Sequence, residues 1–181
     1  MVFARLLSLA RLIDRLNETV GRAVTWLVLV AVLISSGNAV MRYGLNMSSN
    51  AWLEIQWYLF SLIFLLGAGY TLKHNGHVRI DVVYGRLSAR ARAWIDLAGD
   101  LLFLLPMAAL IGWLGWTGFH QALSIGEMSP DAGGLARWPI RLAIPFGFLL
   151  LALQGLAEAI KRAAYLFDGV PPDSEAGEET A

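Results

Sequence analysis

The chain has 181 residues, 57% of them hydrophobic, no cysteine, and a formal net charge of zero from 14 basic and 14 acidic groups. The lack of cysteine excludes disulfides, thiolate metal sites and cysteine nucleophiles, and the apolar excess points to one membrane domain with no soluble domain beside it. The zero net charge hides an uneven distribution: the stretch 168–181 holds Asp168, Asp173, Glu175, Glu178 and Glu179 and no basic residue, so the remainder is basic.

Residues 2–22 carry Leu6, Leu9, Ile13, Leu16 and Val20 at helical steps, with Arg11, Arg15, Glu18 and Arg22 on another face. This pattern suits an interfacial helix with its arginines toward phosphates, or a helix that simply extends the first span. Span one covers about 23–41, has no charged residue, and starts too late and runs too long for a typical cleaved signal. Ser35, Asn38 and Arg42 share one face near its end. A short connection follows, in which Ser49 or Asn50 can cap the next helix. Span two covers about 52–72, with Trp52, Trp57 and Tyr58 where an aromatic belt forms. The connection 73–92 is strongly basic, with Asn75-Gly76 marking a turn and Ser88 placed to cap a helix. Span three covers about 93–118 and is expected to kink at Pro106. The loop 120–137 contains Glu127, Ser129-Pro130-Asp131 and Gly133-Gly134. Span four covers about 138–160, opens with Trp138-Pro139 and contains Pro145, a second expected kink. Residues 161–181 end in the acidic segment, whose composition predicts disorder.

Each span approaches or exceeds the roughly 20 apolar residues that cross a bilayer core as a helix. The expected fold is therefore an all-α integral membrane protein with four transmembrane helices: a 1–22 segment, a 23–160 membrane domain and a 161–181 cytoplasmic end. Of the 14 basic residues, all but Arg42, Arg137 and Arg141 fall on one side of this topology. The positive-inside rule makes that side cytoplasmic, so both termini face the cytoplasm, most simply of a bacterial inner membrane. Topology accounts for the basic charge, and nucleic acid is not an expected partner.

Candidates for chemistry are few. Glu54 lies just inside span two, where an ionisable group is costly. It reads as a proton or cation site, or as a structural group paired with Arg42 or hydrogen-bonded to a partner; its position near a helix end favours the structural reading. Asp96 and Asp100 stand one turn apart, and Arg92, four residues before Asp96, offers a simple ion pair. His74, His77 and His120 lie near the edges of the spans rather than facing one another inside, so no haem site is expected. No cofactor, catalytic residue or metal site is assigned. Ala108/Gly112, Ala143/Gly147 and Gly155/Ala159 are small pairs four apart, suited to close helix packing. No helix carries a mid-membrane polar array of the kind a substrate path uses.

Several short motifs occur in a definite order: Trp52-Leu53-Glu54, then Gly67-Ala68-Gly69-Tyr70-Thr71-Leu72, His77-Val78-Arg79-Ile80-Asp81, Arg92-Ala93-Trp94-Ile95-Asp96, Gly126-Glu127-Met128-Ser129 and Trp138-Pro139. Over about residues 15–165 this order resembles the small membrane subunit, DctQ-type, of tripartite ATP-independent periplasmic (TRAP) transporters. The resemblance implies a non-catalytic subunit with two protein partners. One is a large multi-span membrane subunit that moves the solute by an elevator-like motion, usually driven by sodium. The other is a periplasmic solute-binding protein that captures an organic acid or similar solute. The small subunit would scaffold the large one and help dock the binding protein. The resemblance also implies that His77, Arg79 and Asp81 form a structural cytoplasmic turn. Structural or partner-contact candidates are thus Arg42, Trp52, Glu54, His77, Arg79, Asp81, Asp96, Glu127, Ser129 and Trp138. Two other readings stay open on the residues: a self-sufficient four-helix transporter coupled through Glu54, and a membrane anchor for a redox enzyme.

Overall fold

A computed structural model describes residues 2–47, 49–76 and 84–169. His77, Arg79 and Asp81, and the acidic segment from Val170 on, lie outside the described residues. Four long helices are present: α1 (Val2–Gly44), α2 (Asn50–Lys73), α3 (Ala89–Ser124) and α4 (Trp138–Asp168). All four are long and apolar enough to cross a membrane.

The helix ends follow local chemistry. Ser88 accepts a hydrogen bond from the Ala91 N–H and caps α3. Ser49 sits at the start of α2 in extended backbone but makes no capping bond through its side chain. Asn75 adopts φ 49°, and the Gly76 N–H returns to the Thr71 carbonyl at 2.9 Å, closing the expected turn. Gly169 ends α4 at φ 69°, its N–H bonded to the Tyr165 carbonyl.

The 43 residues of α1 form one unbroken helix, about 65 Å long at 1.5 Å per residue. Residues 2–22 and span one are therefore a single rod, roughly twice the thickness of a hydrocarbon core. Its buried face is Ala10, Ile13, Asp14, Asn17, Gly21 and Val24, while Leu9, Leu12 and Leu16 are exposed. The leucine periodicity thus does not mark the inward face.

In α3, Pro106 has no N–H to offer the carbonyl four residues back. The helix absorbs this with a π-turn over Asp100–Leu104, in which the Leu105 N–H reaches back to the Asp100 carbonyl. α4 runs on through Pro145.

α4 is the centre of the bundle. It packs against α1, α2 and α3, and α1 also packs against α2. Apart from Gln154 and Leu166, its buried residues are all alanine or glycine, so neighbouring backbones come close. A Cβ at Gly147 would stand 2.8 Å from the Leu65 carbonyl oxygen of α2. One at Gly115 would stand 2.7 Å from Ile144 and 3.2 Å from the Pro145 ring. One at Gly155 would strike the Leu104 side chain. The small pairs are used inside the bundle.

Gly69 of α2 is the tightest of these contacts. A Cβ there would collide with the Asn17 carboxamide of α1 and come within 3.2 Å of the Leu150 carbonyl of α4. Two residues away, a Cβ at Gly67 would meet only Val24, at 3.8 Å. Gly69→Ala is expected to cost about 1–3 kcal/mol through overpacking. Gly67→Ala should be neutral or slightly stabilising, since alanine is the better helix former. Thermal unfolding in detergent separates the two. Equal midpoints would show that the three-helix junction at Gly69 is not a constraint.

Candidate functional site

Side-chain bonding between elements concentrates at the two ends of the bundle. At one end, the loop between α3 and α4 is folded down on α2. A short antiparallel bridge joins Met128 and Ala136, supported by Ser129 N–H to Leu135 O and Arg137 N–H to Glu127 O, both 2.9 Å. Gly126 and Gly133, at φ 61° and 74°, make the turns that L side chains resist. Gly134 is needed for space: a Cβ would stand 2.8 Å from a Glu54 carboxylate oxygen and closer still to Ser129.

Three residues of α2 at successive four-residue steps hold this loop. Asn50 donates to the Ala132 carbonyl at 3.1 Å, and Tyr58 donates to the Ala136 carbonyl at 3.1 Å. Between them Glu54 accepts from the Ser129 hydroxyl with one oxygen and from the Leu135 N–H, 2.7 Å away, with the other. Of the two structural readings of Glu54, an ion pair with Arg42 or hydrogen bonds to a partner, neither describes the bonding here: the carboxylate is hydrogen-bonded to the chain's own loop, and Arg42 is exposed at the end of α1. From α4, Arg141 pairs with Glu127 at 2.7 Å and reaches the Gly118 carbonyl of α3 at 3.4 Å. Glu54, Glu127 and Ser129 are thus brought together, at the start of the helix that Trp138 opens. Trp52 instead lines an apolar groove against Leu33, Ile34 and Met41 of α1. Sequence reasoning missed Asn50, Tyr58 and Arg141 as loop contacts; the spacing of Asn50, Glu54 and Tyr58 was the available signal.

At the opposite end, the start of α1 meets the ends of α2 and α4, and the start of α3 meets α4. Asn17 and Gln154 are the largest fully buried side chains among the described residues. Asn17 donates to Gln154 at 3.0 Å, and Gln154 donates in turn to Asp14 at 2.7 Å and Glu158 at 3.0 Å. Lys161 completes the cluster, 2.5 Å from Glu158 and 3.3 Å from Asp14. The Asn17 oxygen has no hydrogen-bond donor and fills the space beside Gly69 that a Cβ would occupy. Beside this cluster, Lys73 of α2 pairs with Glu18 at 2.8 Å, and His74 lies 3.4 Å from the same oxygen. Across α4, Arg162 pairs with Asp100 and faces Asp96 at 3.5 Å. Asp96 also accepts from the Tyr84 hydroxyl at 2.6 Å, and the Arg92 guanidinium lies over the Tyr84 ring. This polar set joins all four helices; of its members the sequence pointed only to Asp96 and Asp100, and not to Arg162 as their partner. Its signals were Asp14, Asn17 and Gly21 at steps of three and four, and Gln154, Glu158 and Lys161 likewise.

His120 packs edge-on against Trp116 and Phe119 at the exposed end of α3. Among the described residues, no group of His, Asp and Glu is arranged to hold a metal ion.

The family description "Tripartite ATP-independent periplasmic transporters, DctQ component" matches residues 31–164. The chain belongs to the DctQ family. It is a TRAP transporter component, not an enzyme. It is also 28% identical over 137 residues to the ectoine TRAP transporter small permease protein TeaB of Halomonas elongata, covering 74% of this chain and 68% of that protein. No solved structure matches it. The family match begins at Ala31, so it includes the loop-binding stripe of α2 and the Gln154–Arg162 part of α4 but not Asp14 and Asn17.

Proposed function

We propose that this DctQ-family chain is the scaffold subunit of a TRAP transporter. The large membrane subunit rests on its apolar flanks, and a periplasmic solute-binding protein docks near the loop that carries Glu127 and Asp131. In this reading both ends of the chain face the cytoplasm and the loop faces the periplasm, as the arginine and lysine distribution favours. The cargo is an organic acid or similar solute, carried by the partners and driven by sodium. TeaB belongs to an ectoine transporter, but the solute of this system is set by the other two proteins.

The observation that carries the proposal is the loop latched to α2 through Asn50, Glu54 and Tyr58. A loop tied at three points to a membrane helix is a preformed docking surface, which binds without the cost of ordering. The test places a photocrosslinker at Asp131 in the assembled transporter. Crosslinks to the solute-binding protein are expected. Crosslinks that reach only cytoplasmic proteins would overturn both the orientation and the docking role, and solute uptake by the purified chain alone would overturn the scaffold role.

A further inference from the structure

Two cavities lie between α2 and α4 at the loop end. The first, about 370 Å³, is lined by Glu54, Asp131, Arg137 and Arg141 together with Trp57 and Tyr58. The second, about 290 Å³, is lined by Phe64, Leu65 and Ile144. Both include Ser61, Ile140 and Arg141, so they form one groove, charged at its mouth and apolar below. From Trp57 to Leu65 it follows α2 for about 12 Å. Trp57 and Trp138 mark the headgroup depth, so the charged mouth lies at the bilayer interface and the apolar part within the adjoining leaflet.

The charges at the mouth are unequally engaged. Arg141 is committed to Glu127, and the two Glu54 oxygens accept from Ser129 and Leu135. Among the described residues, the Arg137 guanidinium and the Asp131 carboxylate have no hydrogen-bond or ion-pair partner. One open cation and one open anion thus share a mouth above an apolar slot.

We propose that this groove binds one zwitterionic glycerophospholipid of the adjoining leaflet, its phosphate on Arg137, its ammonium toward Asp131 and Glu54, and an acyl chain along Phe64, Leu65 and Ile144. Arginine suits the phosphate by bidentate, charge-assisted bonding. A headgroup with phosphate alone would meet the Asp131 and Glu54 carboxylates without an ammonium to offset them. A protein helix laid in the slot would cover the mouth and leave Arg137 to be desolvated unpaired. The inference asks only that the chain spans a bilayer and does not rest on the transport reading.

The test is native mass spectrometry of the full chain in mild detergent, titrated with dioleoyl phosphatidylethanolamine or dioleoyl phosphatidylglycerol. One bound phosphatidylethanolamine per chain is expected, preferred over phosphatidylglycerol. Arg137→Ala should weaken it by about tenfold, the scale of one lost charge-assisted pair. Ser61→Trp, which obstructs the groove where the charged mouth passes into the apolar slot, should weaken it as well. Matched thermal unfolding of both variants controls for folding. Equal binding of the two lipids, or binding indifferent to both substitutions, would overturn the proposal. A photocrosslinker at the exposed Phe64 in the assembled transporter gives an independent readout. Labelled lipid is expected, and labelling of the large subunit there would show that protein fills the groove and end the proposal.

Discussion

Arg162→Leu is expected to be the most damaging single substitution at the α3–α4 contact. Arg162 is 11% exposed and faces two carboxylates, Asp100 at 9% and Asp96 at 20%. Removing one partner of a buried pair strands the other and costs about 3–5 kcal/mol. Asp96 keeps the Tyr84 hydroxyl, so Asp100 bears most of that penalty. Arg22→Leu is the matched control. It breaks the Arg22–Glu18 pair, in which Arg22 is 77% exposed, and an exposed pair is worth about 0–1 kcal/mol. Membrane accumulation and unfolding midpoint in detergent should fall sharply for Arg162→Leu and little for Arg22→Leu. Adding Asp100→Leu to Arg162→Leu should recover part of the loss, because an apolar pair of similar volume is tolerated where a lone charge is not. If the double variant proves worse than the single, Arg162 acts through some contact other than Asp100.

Glu54→Leu is expected to reduce solute uptake by about tenfold or more in a transporter reconstituted from all three components, whereas Glu54→Gln should stay within about twofold. The difference follows from donor and acceptor inventory. Glutamine can accept from the Leu135 N–H with its oxygen and donate to the Ser129 hydroxyl with its amide. Leucine leaves the Leu135 N–H and the Ser129 O–H without an acceptor, although the Ser129 oxygen still accepts from the Asp131 N–H. An unsatisfied donor costs about 1–3 kcal/mol when buried; for these two part-buried donors together we take about 1.4 kcal/mol, a factor of ten in the closed population of the loop. Hydrogen exchange should show Leu135 protected in wild type and Glu54→Gln, and exposed in Glu54→Leu. If both variants lost uptake equally while Leu135 stayed protected, Glu54 would be needed for its charge, and its role as a latch would be wrong.

The four helices were legible because the bilayer demands long apolar runs and the sequence interrupts them only at turns. Ser88 as a cap and Asn75-Gly76 as a turn could be read from local rules that involve few residues. The partners of Glu54 could not. Arg42 was the nearest opposite charge in sequence, but Ser129 and Leu135 lie 75 and 81 residues away and are brought in by the α3–α4 hairpin. The inward face of α1 was obscured for a different reason. A periodic leucine stripe normally marks burial, yet here Asp14 and Asn17 are buried beside Ala10 and Ile13, because α4 supplies Gln154 and Lys161 as their partners, and Gly21 is covered by Tyr70 of α2. In a membrane protein the leucines have another apolar medium available to them, so their spacing loses its directional meaning. Pro106 was read as a kink, and the structure shows the local form of that disturbance, a widened turn over Asp100–Leu104 just upstream.

The position of α4 has a mechanical consequence. It is wedged between the other three helices by alanine and glycine, and clasped at both ends, by Arg141 toward the loop and by Gln154, Lys161 and Arg162 toward α1 and α3. Such a body has no soft seam along which one pair of helices could rock against the other. A transporter that opens alternately to two compartments needs a moving part and a stationary one. In the proposed scaffold role this chain is the stator, and sliding takes place along its outer flanks, where Trp26 and Phe103 stand exposed.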